Sequence, residues 1–208
     1  MKIKLNEDFF LIRSDLEYKP EEYKTQELCI KSVTDNIEKF IFVPKMFKTP
    51  ELCMMAVKYR GDLLYYVPEH RITQEICMVA IVNEATAINY VPERFITAEL
   101  YLIAVSKNGF TLKYVPEKFK TPELCKIAVE GNVYGPRSHL DFVPEKLITS
   151  ELCEIAMEKS VYALISIPES LVTLDHCINA VMKDRGLLRF VPEKFKAQIE
   201  AELERKSV

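Results

Sequence analysis

Glycine is scarce, at five in 208 residues, and none falls in a GxxxxGK, GxGxxG or GxSxG pattern. That removes the loops that cradle phosphates and the elbow that presents a serine nucleophile. Histidine is scarcer still, with only His70, His139 and His176. They share no repeat position and no HExxH pattern, so no base or ligand set recurs and each reads as a surface residue. No apolar run approaches the ~18 residues of a membrane span, and acids interrupt the opening MKIKLNEDFF where a signal peptide needs an unbroken apolar stretch. A cytoplasmic protein without membrane contact is expected. An excess of positive charge is missing too. With a net charge of -3 there is no global field to attract a phosphate backbone, which disfavours nucleic acid as the partner. Disorder is excluded by the balance of 49% hydrophobic to 28% charged residues, that of a chain that buries a core.

What is present is repetition. Pro20, Pro44, Pro68, Pro92, Pro116, Pro144, Pro168 and Pro192 step by 24 residues, with a single step of 28. Thr25, Thr49, Thr73, Thr97, Thr121, Thr149 and Thr173 keep the same beat and open seven units over 25–196. A fixed period of this size marks stacked supersecondary units. Thr121-Pro122-Glu123 supplies an N-cap hydroxyl, a proline suited to the first helical position and an acid facing the positive end of the dipole. Leu124, Cys125, Ala128 and Val129 then lie on one face of a 3.6-residue helix of about ten residues. After a loop, Leu112-Lys113-Tyr114-Val115 and its equivalents form a short second helix that Val-Pro must end. A last turn, Pro-Glu-Lys-Phe, returns Phe47, Phe95, Phe119 and Phe195 to the core. Neither helix is long enough to be stable alone, so stacking on the next unit must stabilise both.

The expected fold is therefore all-α: a single domain over 1–208, a solenoid of about seven stacked short two-helix repeats. Residues 1–24 form a degenerate N-terminal cap, and 197–208, beginning at Ala197 where a threonine is due, form a polar C-terminal capping helix.

Six cysteines, Cys29, Cys53, Cys77, Cys125, Cys153 and Cys177, all stand four residues after a repeat threonine. In a stack each lies at least one repeat, about 8–10 Å, from the next, Tyr101 filling the column once, beyond the roughly 7 Å Cα separation a disulfide allows. They read as a ladder of small buried residues, with no metal or other cofactor implied. The repeated glutamates follow helix starts and pair with dipoles rather than catalyse. Arg60-Gly61-Asp62 reads as a loop with glycine at a helix C-terminus. The aromatic column Phe42, Tyr66, Tyr90, Tyr114, Phe142 and Phe190 reads as core, the alternative being a platform for single-stranded bases.

Ala128-Val129, Asn108-Gly109 and Leu112-Lys113-Tyr114-Val115-Pro116-Glu117 resemble the short tandem α-helical repeats of a bacterial and viral domain family catalogued as having no known function. The resemblance implies an interaction module and supplies no catalytic residues. The expectation is a non-catalytic protein-protein interaction scaffold, in its sharper form an inhibitor or effector, with a protein partner and no small-molecule substrate. A nucleic-acid-binding helical-repeat protein is the alternative, and would need a basic stripe from Lys118, Lys120, Lys126, Lys146, Lys194 and Lys196. The one break in the beat, four added residues in EGNVYGPRSH, must bulge from the loop face, which makes Tyr134, Arg137 and His139 candidate protein-binding residues.

Overall fold

A computed structural model describes residues 16–131 and 138–205. Among these the chain is helical, with no strand. The α-helices recur on the beat: α1 (Gln26–Asp35), α2 (Pro50–Tyr59), α3 (Gln74–Asn83), α4 (Ala98–Lys107), α5 (Pro122–Glu130), α6 (Ser150–Lys159), α7 (Leu174–Lys183) and α8 (Glu193–Arg205). Helices α1 to α7 each begin at the residue after a repeat threonine. Every one of those threonines accepts the N–H of the third helical residue, at 3.1 to 3.3 Å. Such a cap stabilises its helix by about 1 kcal/mol.

The second helix of the unit is a 3-10 helix rather than an α-helix: Ile37–Phe42, Gly61–Tyr66, Ala85–Tyr90, Gly109–Tyr114, His139–Phe142, Val161–Ser166 and Arg185–Phe190. A single extended residue joins the two helices in most units, as at Asn36, Arg60, Glu84, Asn108, Ser160 and Asp184, with φ between -134° and -157°. That residue ends one helix and caps the next. The side chains of Asn36, Asn108 and Asp184 accept the N–H two residues on, at 3.0, 3.1 and 2.8 Å. Val-Pro then stops the 3-10 helix in extended backbone, as the missing proline donor requires. The turn that follows leaves Phe47, Phe95, Phe119 and Phe195 only half-buried, not in the core as expected.

The chain divides into two compact units, residues 1–100 and 101–208. In the first, the 3-10 helices Ile37–Phe42, Gly61–Tyr66 and Ala85–Tyr90 pack one on the next, and α2 packs on α3. In the second the same holds for the 3-10 helices from Gly109 to Phe190, for α5 with α6 and for α7 with α8. The α-helices bury their leucine, cysteine, alanine and valine columns. All six cysteines are free and fully buried. Burial pushes each thiol up, Cys53, Cys77 and Cys153 to about 11.

Two expectations are corrected. Gly61 does not stand at the C-terminus of α2, which ends at Tyr59 with Arg60 as its extended cap, but opens the 3-10 helix Gly61–Tyr66. A Cβ at Gly61 would stand 2.1 Å from the Ala80 carbonyl oxygen and 2.7 Å from Glu84 Cβ, so glycine is there to let two repeats touch. A Cβ at Gly109 would crowd the Ala128 carbonyl oxygen in the same way. The final helix starts at Glu193 rather than Ala197. Alanine cannot cap and is a strong helix former, so nothing interrupts the helix that opens after Pro192.

Gly61→Ala is expected to lower stability by about 1–3 kcal/mol through overpacking, whereas Gly186→Ala, whose added Cβ would meet only the Asp184 side chain, should cost less in the same urea titration. The thiols should also make the fold sensitive to alkali. Their folded pKa values lie above the ordinary 9.0, so their contribution is complete below pH 9 and is lost as pH rises through about 11, at roughly 3 kcal/mol for each of the three most shifted. Lys48, held down at about 8 against an ordinary 10.5, works in the opposite sense over that interval but is a single group. Urea midpoints should fall above about pH 9, and a thiol reagent should label no cysteine in the native protein at neutral pH.

Candidate protein-binding face

A 3-10 helix has three residues per turn, so residues three apart lie over one another. In the first unit this aligns Glu38 with Ile41, Asp62 with Tyr65 and Thr86 with Asn89 along the outer edge, while Phe40, Leu64 and Ile88 are buried. The third residue before each proline is exposed in every described repeat, and its identity changes freely: Ile41, Tyr65, Asn89, Lys113, Asp141, Ile165 and Arg189. Its neighbours in the repeat, a buried apolar residue and an aromatic one, scarcely change.

The aromatic column is not core. Tyr66, Tyr90 and Phe190 are exposed, while Phe42, Tyr114 and Phe142 are half-buried. Each stands at the last position of its 3-10 helix, just before the extended Val-Pro. In the first unit Tyr65, Tyr66 and Tyr90 cluster, the Tyr65 ring 5.0 Å from Tyr66 at 90° and 5.3 Å from Tyr90 at 60°. Together with Ile41, Leu63, Glu38, Asp62 and Arg60 they line a concave groove. Arg60 donates from Nε and Nη2 to Asp62 at 3.0 and 2.6 Å and from Nη1 to Glu38 at 3.2 Å. The pairing raises the guanidinium's pKa and holds the Asp62 carboxyl below its usual value.

A lysine strut fixes the groove from behind. Lys48 is 4% exposed, donates from Nζ to the Tyr66 carbonyl at 2.8 Å and stands 4.5 Å from the centre of the Phe40 ring. Desolvation holds its pKa down at about 8, with Cys53 opposing the shift and Lys45 adding to it. Lys24 braces the Phe42 carbonyl at 2.9 Å, and in the second unit Lys120 braces that of Phe142 at 2.7 Å. The sequence reading missed this role, since a lysine before a helix cap reads as surface. Its signal was the column itself, in which Lys24, Lys48 and Lys120 alternate with Ile72, Ile96, Ile148 and Val172.

The lysines expected to form a basic stripe are largely engaged. Lys120 is a strut, Lys126 pairs with Glu151 and Lys196 with Glu193, each at 2.6 Å, and Lys118 and Lys194 lie over Phe119 and Phe195.

Of the candidate binding residues, Tyr134 and Arg137 lie outside the described residues. His139 is fully buried, edge-on to Phe110 at 4.6 Å, and neither ring nitrogen has a hydrogen-bond partner. The expected surface position is thus corrected: His139 stands at a core position occupied elsewhere by Leu63, Ala87 and Leu187. His176 is likewise buried rather than exposed, in the leucine column. Its Nδ1 accepts the Thr173 N–H at 3.3 Å, which leaves the proton on Nε2, 3.0 Å from Glu154 Oε1. His70 is exposed as expected.

Burial pushes the His139 pKa below its ordinary 6.5, and the Ala128 carbonyl and Asp141 carboxylate draw it only partly back. The unfolded chain therefore takes up this proton first, and stability is lost as pH falls below about 6.5. His139→Leu is expected to flatten the decline in urea midpoint between about pH 7 and pH 5; an unchanged slope would refute a neutral buried imidazole.

A family model described as a domain of unknown function (DUF4116) matches residues 98–148, a minority of the chain. The matched stretch spans Asn108-Gly109, the Leu112–Glu117 segment and Ala128-Val129. No curated protein and no solved structure matches the chain.

Proposed function

We propose that this chain is a non-catalytic protein-binding scaffold, a solenoid of seven two-helix repeats related to uncharacterised bacterial and viral repeat proteins. It acts in the cytoplasm as an inhibitor or effector that engages one partner protein by surface complementarity. The observation that carries this reading is the exposed third residue before each repeat proline, which varies in charge and size from repeat to repeat while the column before it stays large and apolar and the column after it stays aromatic except at Ser166. Stability constrains the buried columns and leaves this one free for recognition. Tyrosine and arginine, both present in it, are the types enriched at interface hot spots. The insertion carrying Tyr134 and Arg137 belongs to the same proposal as a second contact.

Nucleic acid fits less well, because of the six lysines that could form a basic stripe Lys126 and Lys196 are paired with glutamates and Lys120 serves as a strut.

Substituting serine for Tyr65, Asn89, Lys113, Ile165 and Arg189 together should leave the helical content and melting temperature unchanged. The same variant should abolish recovery of the partner from an extract of the native host. Tyr134→Ala with Arg137→Ala should weaken the partner by about 1–2 kcal/mol. Undiminished recovery by both variants would remove the protein-binding reading of these faces.

A further inference from the structure

Resting on the protein-binding reading, the chemistry of the first unit's groove narrows the kind of partner. Its charges are already spent on one another. Arg60 is held by Asp62 through two hydrogen bonds and by Glu38 through one, so a phosphate or carboxylate finds no free cation there. A strongly cationic ligand would find only what Glu38 has left, a carboxylate whose side chain is 65% exposed at one end of the groove. The middle offers ring surface and phenol hydroxyls. Tyr65, Tyr66 and Tyr90 make no protein hydrogen bond through their hydroxyls among the described residues.

We propose that this groove binds a proline-rich segment in the polyproline II conformation, with a basic residue at the Glu38 end. Proline rings pack on tyrosine faces without bringing donors that would need partners. The carbonyls of such a segment, which lack internal hydrogen bonds, accept from the tyrosine hydroxyls. Tyr65 and Tyr90, on neighbouring repeats with ring centroids 5.3 Å apart, give such a segment a continuous aromatic floor across two repeats. The residual negative charge at Glu38 takes the basic residue. The Lys48 strut on the Tyr66 carbonyl keeps the ring in place before binding, and this lowers the ordering cost of association.

The test is a titration of the full chain, followed by fluorescence anisotropy, with labelled oligoproline peptides that carry one arginine at either end. Oligolysine, a Gly-Ser peptide and oligo-dT serve as comparators. Oligoproline-arginine is expected to bind saturably and the comparators weakly or not at all. Tyr65→Ala and Tyr90→Ala should each weaken it by about tenfold or more, as hot-spot truncations do. Tyr65→Phe, which keeps the ring and removes only the donor, should weaken it by about threefold to tenfold, the size of one lost hydrogen bond. Glu38→Gln should erase the preference for one arginine position while leaving binding in place. Absence of saturable binding, tighter binding of oligolysine or oligo-dT, or indifference to Tyr65→Ala would overturn the proposal. If the native partner is nonetheless lost when the variable exposed residues are replaced, the protein-binding reading stands and only the proline-rich assignment falls.

Discussion

Helices α1 to α7 each take their starting point from one kind of hydrogen bond, the repeat threonine hydroxyl accepting the amide three residues on. Helices of about ten residues are marginal in water, and the cap decides where each begins. Val-Pro decides where the unit ends. Between these two signals the backbone has one joint, a single extended residue that satisfies the end of the α-helix and the start of the 3-10 helix together. The replacement of threonine by Ala197 shows the dependence, since there the helix runs uninterrupted from Glu193 to Arg205.

Close stacking then imposes its own chemistry. Glycine at 61 and 109 lets one repeat's 3-10 helix touch the carbonyl end of the next repeat's α-helix, and cysteine and alanine fill the seam where a larger residue would force it open. Groups that can ionise but are caught in this seam are held neutral or pay to be charged. The thiols are pushed up, His139 and Lys48 are pushed down, and desolvation is the largest cause in each case.

The sequence was most legible where a residue acts through its own backbone. Threonine caps, Val-Pro stops and the cysteine ladder could each be read from spacing alone, because capping, donor loss and periodic burial are local. What misled was the second helix. Its last aromatic looks like core at a 3.6-residue period, but the segment winds at three residues per turn and its end projects to the surface. His139 and His176 misled for a related reason. A polar residue in an apolar column looks like an exposed exception, whereas the stack buries the whole column: His176 keeps partners there and His139 keeps none. Lys48 was illegible because its partner, the Tyr66 carbonyl, is 18 positions away in sequence and belongs to the next repeat.

The strut connects stability with the surface. A lysine almost wholly removed from water is costly, and the isoleucines at positions 72, 96 and 148 show that the repeat forms without it. Lysine recurs in this column at 24, 48, 120 and 196; at the first three it grips the carbonyl of the aromatic in the following unit, and Lys196 pairs with Glu193. A charge-assisted hydrogen bond to a carbonyl is among the stronger neutral-to-ion contacts a protein makes, and here it stiffens the backbone that carries an exposed ring. The exposed residue just before that ring varies without penalty, since nothing buried depends on it. An aromatic column broken at Ser166, beside a position that varies freely, lets the surface change while the buried columns keep the same core.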